Sequence, residues 1–277
     1  MKLLTWNTHS LVGKEKEQIR EEQRQVAAYL GEHCPDVVAL QEVNQPREGA
    51  IVPRDSIERL SSCECHMPLR EGNYLLDLMG ELPAGYRGVW LPMKKSYDRW
   101  EEGLAFLYRG KAAELRWLPL SLSRDYNNWK TRMALFLRRE GEADWFCNLH
   151  LGWWEDEEEP FLNQWHRLAR ALPRGERLWL MGDFNSSPDI RGEGYDTVAS
   201  GGFYDCYTLA RQRQGEETVT RTDLDGWRER ASRGSMRIDQ VWCRHPARIR
   251  VCRICMDGKE GPLVSDHYGV WVETDEK

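Results

Sequence analysis

Short apolar runs alternate with amphipathic stretches along the sequence, and this pattern restricts the chain to β-sheets with helices packed against them. Strand-like runs occupy residues 2–6, 36–40, 86–91, 104–108, 133–137, 145–149, 178–181, 238–243, 249–254 and 268–272. The stretches 15–33, 74–82 and 157–172 carry apolar residues at the spacing of a helix face. Two sheets packed face to face, with the helices outside, would bury such a chain.

The length of 277 residues suits one large domain, which we expect to span residues 1–277. No apolar run approaches the ~20 residues that cross a bilayer. The apolar stretch within residues 1–9 is too short for a signal peptide. We therefore expect a cytoplasmic protein with no membrane association. The sequence does not indicate an oligomeric state.

Net charge and cysteine content limit the kinds of ligand. The formal charge is −6, which argues against general affinity for nucleic acid, since such binding depends on Lys and Arg neutralising phosphates. The eight cysteines are expected to be free thiols. A zinc site built from Cys63, Cys65, Cys252 and Cys255 is an alternative. The last two lie in an alternating, strand-like segment, so we favour buried thiols.

Polar motifs follow or open most of the apolar runs. They are Trp6-Asn7, Gln41-Glu42, Glu102-Gly103, Asn148-Leu149-His150, Gly182-Asp183-Phe184-Asn185, Arg237-Ile238-Asp239 and Ser265-Asp266-His267. Strand ends present side chains to a common cleft. Carboxylates, amides and histidines that meet in a cleft can hold Mg²⁺ and support attack on a phosphate.

Glu42 is the first candidate for a metal ligand, because a carboxylate at the exit of an apolar strand has no packing role. Mg²⁺ takes one or two protein carboxylates and keeps several waters. We expect Asn7 to bind the ion beside Glu42 and Asp266 to face it, and Mn²⁺ can substitute for Mg²⁺ at such a site. The alternative is a solvated or capping Glu42.

Asp183 and Asn185 share one face of an extended segment, so Asp183 can orient or deprotonate water while Asn185 donates to a phosphate oxygen. The alternative is a turn that ends the strand. Asp239 is the expected partner of His267, fixing its tautomer beside the phosphate.

Glu102 and His150 are expected to form a second His–carboxylate pair, in which a protonated His150 gives a proton to the leaving oxygen. The alternative is that His150 satisfies backbone groups.

Trp153 and Trp154 adjoin His150, and their indole faces can stack on a sugar ring. Consecutive residues of an extended segment face opposite ways, so one of the two can belong to the core. The acidic run 155–159 is expected to open the third helix and to repel a long polyanion. Arg132 is a candidate clamp for a terminal phosphate.

The ordered set of motifs resembles the exonuclease–endonuclease–phosphatase superfamily, which includes pancreatic-type deoxyribonucleases, abasic-site endonucleases and inositol polyphosphate 5-phosphatases. The resemblance spans residues 3–272 and implies a four-layer α/β/β/α sandwich of two facing mixed sheets. Matching positions imply that the metal is held by Asn7, Glu42 and Asp266, and that the reacting phosphate and water are served by Asp183, Asn185, Asp239 and His267.

Glu102 and His150 resemble the second carboxylate–histidine pair of the deoxyribonuclease branch. Abasic-site endonucleases carry Tyr and Asn near there, which weakens a DNA-repair assignment. Residues 97–103 and 148–158 are similar to bacterial maltose 6′-phosphate phosphatases. The expected function is Mg²⁺-dependent hydrolysis of a small sugar phosphate by in-line attack of water.

Two other functions remain open. A nuclease would need a basic rim, for which the sequence offers Arg124, Lys130 and Arg132, and the arginines at 228, 230, 233 and 237. A scaffold that only binds ligand should have lost at least one of Glu42, Asp183, Asp239 and His267, and the sequence retains all of them.

Overall fold

The computed structural model describes residues 1–53, 57–61, 63, 67–220, 227 and 235–275. The strands, in chain order, are β1 Lys2–Asn7, β2 Val37–Pro46, β3 Tyr86–Ser96, β4 Trp100–Arg109, β5 Ala112–Pro119, β6 Met133–Arg139, β7 Trp145–His150, β8 Leu178–Asp183, β9 Tyr204–Asp205, β10 Gln212–Gln214, β11 Asp239–Cys243, β12 Ile249–Cys255 and β13 Gly269–Thr274. The helices are α1 Lys16–His33, α2 Tyr74–Glu81, α3 Phe161–Ala171, α4 Gly194–Ser200 and α5 Cys206–Leu209.

The described strands form two mixed sheets. The seven-stranded sheet has the order β10-β12-β13-β1-β2-β4-β3, and the six-stranded sheet has the order β5-β6-β7-β8-β11-β9. Parallel pairing joins β1 to β2 and β7 to β8, while β13 and β11 run antiparallel to β1 and β8. The prediction of two mixed sheets is confirmed.

Three apolar layers hold the sheets and helices together. The middle layer lies between the sheets and contains Phe106 from one sheet and Phe146 from the other. The helices α1 and α2 cover the outer face of the seven-stranded sheet, and α3 and α4 cover that of the six-stranded sheet. This is the four-layer α/β/β/α sandwich that we expected. Among the described helices, none is long and apolar enough to cross a bilayer.

The third helix begins later than predicted. It starts at Phe161, and the acidic run 155–159 forms a loop in front of it. Asp156 accepts two backbone N–H groups of that loop, and the buried carboxylate of Glu159 accepts those of residues 122 and 123. The acidic residues therefore fix loops and do not cap the helix.

The prediction missed three strands. The edge strand β5 has no buried residue, so it lacks the alternation of buried and polar residues that marks a half-buried strand. The short strands β9 and β10, of two and three residues, lie at the edges of the two sheets.

The cysteines do not form the alternative zinc site. Cys252 and Cys255 lie on opposite faces of β12, with Cys252 in the layer between the sheets and Cys255 in the layer beneath α1. Cys63 is buried and donates to the Trp90 carbonyl oxygen at 3.2 Å, whereas Cys65 lies outside the described residues. Opposite side-chain directions explain why the two late cysteines cannot share one ion.

The strand register brings the polar motifs to one edge of the sandwich. Asn7 ends β1 beside Gln41 of β2, and His150 ends β7 beside Asp183, which ends β8. Asp239 opens β11 opposite Asp183. The Asn7 side chain donates to Asp183 at 3.2 Å and so joins the two sheets at this edge.

Gly182 controls the approach of β8 to β7, one residue before Asp183. Its φ of 150° lies where side chains are strained, and an added Cβ would overlap the Leu149 carbonyl oxygen. We expect Gly182→Ala to lower the free energy of unfolding by roughly 2–5 kcal/mol, as backbone strain and overpacking add. Urea denaturation of the variant measures the loss.

The matched control is Gly141→Ala. Gly141 has a φ of 77°, but an added Cβ there would meet no atom within 4 Å. Gly141→Ala therefore measures the cost of backbone strain without a steric overlap of the new Cβ. Equal losses in the two variants would show that the contact with Leu149 contributes nothing.

Candidate active site

A cavity of about 590 Å³ opens at the edge where the two sheets meet. The predicted site residues that line it are Glu42, Glu102, Arg132, His150, Trp153, Asp183, Asn185, Asp266 and His267. Asn7 and Asp239 are fully buried and bond to these lining residues. The structure thus brings together every predicted site residue except Trp154.

His267 and Asp239 form the predicted pair, with His267 Nδ1 and Asp239 Oδ2 2.8 Å apart. Burial alone would lower the pKa of His267, but the charge and hydrogen bond of Asp239, with the carboxylates of Asp183 and Asp266, raise it to about 10. The ring is therefore a cation near neutral pH. The Ser265 hydroxyl accepts from His267 N at 3.2 Å and donates to Asn7 O, which ties the ring's segment to β1.

Asp183 is poised to take a proton. Burial, and then the neighbouring charge of Asp239, raise the pKa of Asp183 above its ordinary value. A base with a raised pKa is better matched to proton transfer near neutral pH. The Asn185 N–H donates to Asp183 Oδ1 at 2.8 Å and holds that carboxylate in place.

Asn185 itself adopts a left-handed backbone, with a φ of 45°. Its amide nitrogen donates to Leu151 O at 2.9 Å, and its amide oxygen accepts from Trp227 at 3.2 Å. The amide nitrogen carries two hydrogens, so one remains for a ligand in the cavity.

Glu42 enters the cavity through an irregularity of β2. The pairing with β4 shifts between Leu40 and Val43, and Glu42 has a φ of 50°. Left-handed backbone at a non-glycine residue costs energy and concentrates at functional sites. Burial alone would raise the pKa of Glu42, but the hydrogen bond and charge of His9 hold it well below the usual range. Glu42 is thus an ionised carboxylate.

The donor set fits a divalent cation. Asn7 Nδ2 donates to Glu42 Oε1 at 3.0 Å and to Asp183 Oδ2 at 3.2 Å, and so holds these two carboxylates beside each other. Asp239 Oδ1 is buried and accepts no hydrogen bond from the described residues. Several carboxylates that repel one another in a buried cavity favour a bound cation, and oxygen donors are those that Mg²⁺ and Mn²⁺ prefer.

Two groups of side chains compete as ligands. Ligand atoms of Asp183, Asp239 and His267 lie within 4.8 Å of one another. A protonated imidazole cannot bind a metal, however, and His267 already engages Asp239. We therefore favour Glu42, with Asn7 and Asp266, as the side of the cavity that holds the ion.

The predicted pair of Glu102 and His150 is not formed. Glu102 lies opposite Lys94 across β3 and β4, and Lys94 Nζ is 3.1 Å from its carboxylate. His150 Nε2 lies 3.6 Å from Asp183 Oδ2, and its Nδ1 has no hydrogen-bond partner among the described residues. Strand register, which places Lys94 beside Glu102, explains the difference.

His150 also differs from the proton donor that we predicted. Burial, followed by the positive charge of Arg132, holds its pKa well below the usual value. A neutral ring can donate one hydrogen bond through its N–H, but it does not carry the extra proton of a general acid.

The two tryptophans separate as their alternating directions require. Trp153 lines the cavity, beneath the Arg132 guanidinium at 5.9 Å and beside Trp129 at 5.6 Å. Trp154 packs instead against Phe161 in the layer under α3. Trp154 is partly buried against this layer and does not line the cavity, so its predicted contact with substrate stays a prediction without support from this geometry.

Among the lining residues that sequence reasoning missed, three bear on the chemistry of the cavity. His9 contacts Glu42 at 3.1 Å, and its position two residues after Asn7 was the available signal. Lys94 was overlooked because the predicted strand ended at Leu91, whereas β3 continues to Ser96. Trp129 lies in the connection between β5 and β6, where no periodic pattern singled it out.

The basic rim that a nuclease would need is weak among the described residues. Arg237 is buried in an ion pair with Asp205, at 2.7 Å. Lys130 forms an ion pair with Asp156 at 2.8 Å. The pair also neutralises one of the acidic charges that were expected to repel a polyanion. The arginines at 228, 230 and 233 lie outside the described residues.

Comparisons with known proteins find solved structures of similar fold. A solved endonuclease/exonuclease/phosphatase family protein from Leptotrichia buccalis C-1013-b matches with a TM-score of 0.82 and 23% identity, covering 100% of both chains. A mannosyl-6-phosphatase from Bacteroides thetaiotaomicron VPI-5482 matches with a TM-score of 0.66 and 19% identity, covering 99% of this chain and 98% of that one. A 3′-5′ exonuclease from Neisseria meningitidis matches with a TM-score of 0.63 and 18% identity, covering 100% of both.

At these identities the three likenesses show the fold alone. No match was found among curated proteins. The model of the Endonuclease/Exonuclease/phosphatase family matches residues 4–267. The chain therefore belongs to the endonuclease/exonuclease/phosphatase family.

Proposed function

We propose that this protein is a Mg²⁺-dependent phosphomonoesterase that acts on a small sugar phosphate. Members of its family hydrolyse phosphoesters, generally with a divalent metal. The observation that carries the proposal is the shared cavity, in which the Glu42 and Asp183 carboxylates and the His267–Asp239 pair lie with the Trp153 indole. Charged groups and a flat apolar wall in one cavity suit a ligand in which a phosphate is attached to a sugar ring.

Asp183 orients the attacking water and accepts its proton, which its raised pKa favours. The protonated His267, held by Asp239, donates to the phosphoryl oxygens and offsets the charge that develops on them. Asn185 donates its remaining N–H to the same group. The neutral His150 donates a hydrogen bond toward the leaving oxygen.

Glu42, Asn7 and Asp266 would hold the cation. When bound, Mg²⁺ supplies Lewis-acid polarisation of a phosphoryl oxygen. Water attacks in line with the leaving sugar oxygen while Asp183 takes its proton, the P–O bond to the sugar breaks, and the departing oxygen takes a proton from solvent. Phosphate and the free sugar are released without a phosphoenzyme.

A sugar phosphate fits the wall of the cavity better than a polynucleotide does. Trp153 and Trp129 form an aromatic wall beside Arg132, and a sugar ring can stack on it while its phosphate reaches the carboxylate end. The fold of a mannosyl-6-phosphatase supports this substrate class. The fold of a 3′-5′ exonuclease keeps nuclease activity as the second candidate.

A phosphate-release screen tests the proposal. The purified protein is assayed with Mg²⁺ against sugar phosphates, inositol phosphates, nucleotides and oligonucleotides, and plasmid nicking is followed in parallel. We expect release from sugar phosphates. Plasmid nicking without phosphate release from any sugar phosphate would overturn the proposal in favour of a nuclease.

Trp153→Ala tests the aromatic wall. Removing the indole should raise KM for a sugar phosphate by roughly 3- to 10-fold, the worth of one aromatic contact, while KM for a small phosphate ester without a ring, such as methyl phosphate, changes less. Trp117→Ala is the control, since Trp117 is exposed on β5 and does not line the cavity. Equal effects of Trp153→Ala on both substrates would show that Trp153 only packs.

A further inference from the structure

Two buried cations lie in the wall of the cavity. Lys94 is 4% exposed and Arg132 is 2% exposed, and both side chains line the cavity that contains Asp183 and His267. A buried cation is costly unless a partner offsets its charge. The partners of these two residues therefore show whether the protein itself neutralises them.

Among the described residues, Lys94 has one ion-pair partner, and it keeps spare donors. Its ammonium lies 3.1 Å from Glu102 Oε1. An ammonium carries three hydrogens, so the pair with Glu102 leaves two of them to face the cavity. Burial, and then the charge of Arg132, lower the pKa of Lys94, which shows that the two cations act on each other.

Arg132 is less well compensated. Its Nη1 donates to the carbonyl oxygens of Trp129, at 3.1 Å, and Thr131, at 3.3 Å. Among the described residues, its buried Nε has no hydrogen-bond partner and no carboxylate forms an ion pair with it. A guanidinium that lines a cavity and is held there by neutral carbonyls is suited to meet an anion.

We propose that Lys94 and Arg132 together bind the terminal oxygens of a dianionic phosphate, and that Lys94 thereby selects phosphomonoesters over phosphodiesters. This rests on the proposed function, since the reacting phosphate must enter this cavity. Arg132 offsets one negative charge of the phosphate. Lys94 offsets part of the second, because Glu102 cancels the positive charge of Lys94 only in part. Lys94 lies on β3 of one sheet, and Arg132 immediately precedes β6 of the other, so the cradle exists only in the folded sandwich.

The chemistry of the two ester classes gives the selectivity its direction. A phosphomonoester carries about −1.5 to −2 charges near neutral pH. A phosphodiester carries one charge, and a carbon substituent replaces one terminal oxygen. A diester in the same position would leave a buried ammonium donor unpaired, and leaving a buried donor unsatisfied is an effective way to reject a ligand.

Kinetics of Lys94→Gln test the proposal directly. The ratio of kcat/KM for p-nitrophenyl phosphate to that for bis(p-nitrophenyl) phosphate is measured with saturating Mg²⁺. We expect the ratio to fall roughly 10- to 100-fold, because one hydrogen bond to a charged group is lost for the monoester only. Lys94→Arg should restore part of the ratio. An unchanged ratio, or an equal fall for both substrates, would reduce Lys94 to a structural partner of Glu102.

Lys130→Gln is the matched control. Lys130 also pairs with a carboxylate, that of Asp156, but it does not line the cavity. It removes one positive charge near Trp129 and should leave the ratio unchanged. Because Lys94→Gln leaves Glu102 without its partner, the double variant Lys94→Gln/Glu102→Gln removes the pair as a unit. If Lys94→Gln does not fold, the double variant replaces it in the assay, and we expect the same fall in the ratio.

Calorimetric binding separates this inference from the proposed function. Inorganic phosphate, at a pH above its second pKa of about 6, is titrated with Mg²⁺ present, and dimethyl phosphate serves as the monoanion. We expect Lys94→Gln to weaken inorganic phosphate roughly 10-fold or more and to leave dimethyl phosphate unchanged. If the wild type hydrolyses diesters in preference to monoesters, the proposed function fails. The difference in phosphate binding between the wild type and Lys94→Gln still decides whether Lys94 binds a dianion. Equal binding of inorganic phosphate by both proteins would overturn the inference.

Discussion

His267→Ala and Asp183→Asn should each lower turnover by roughly 10²–10⁴-fold, the usual effect of losing an acid–base group. His267 is held as a cation by Asp239 at 2.8 Å, so alanine removes the charge that offsets the phosphoryl oxygens. Asparagine keeps the shape of Asp183 but cannot accept a proton from water. Steady-state phosphate release measures both losses.

Asp183→Asn should fold like the wild type. Asp183 is buried beside Asp239, and burial and that charge already raise its pKa, so a neutral side chain relieves repulsion. His166→Ala is the control for the histidine, because His166 is exposed on α3. Near-normal turnover in either site variant would remove that residue from the reaction.

Glu42→Gln is expected to weaken Mg²⁺ binding by roughly 100-fold. Loss of a group that only orients a metal ligand costs about 10- to 100-fold in affinity, and loss of a ligand should cost at least as much. The ionised Glu42 carboxylate is the charge that the cation would meet at the bulge of β2. A ligand that binds only the folded state raises the unfolding temperature. Following that temperature as Mg²⁺ is added, after EDTA treatment, therefore reports the binding.

Glu140→Gln is the matched control for Glu42, since Glu140 is exposed and lies outside the cavity lining. It should titrate with Mg²⁺ as the wild type does. The same Mg²⁺ midpoint in Glu42→Gln and in the wild type would exclude Glu42 from the metal site.

The sequence predicted the architecture because strand ends are local signals. Asp183 and Asp239 each adjoin a continuous apolar run, and that position alone indicates the edge of a sheet. The pairing of β8 with β11 then places them opposite each other. His267 follows the same logic before β13, which is why the pair with Asp239 could be predicted.

Contacts that depend on register could not be predicted. Glu102 lies opposite Lys94 because β3 and β4 form a hairpin whose pairing shifts between Pro92 and Lys94. One residue of slip exchanges the faces of a strand, so sequence spacing does not decide whether Glu102 meets Lys94 or His150. The prediction of a His150 pair failed for this reason.

The direction of side chains in loops also could not be predicted from the sequence. Trp153 and Trp154 are adjacent and chemically identical, and only the path of the loop decides which one faces the cavity. Trp129 joins Trp153 from a distant connection, a proximity that no local pattern reveals.

The most direct measurement is phosphate release from a panel of sugar phosphates as Mg²⁺ is restored to EDTA-treated protein, for the wild type and Glu42→Gln side by side. We expect wild-type release to rise from background to saturation with Mg²⁺, and the Glu42→Gln curve to shift to far higher Mg²⁺. Sugar phosphate hydrolysis that persists in EDTA, or that needs Mg²⁺ equally in both proteins, would contradict a metal-assisted reaction at this cavity.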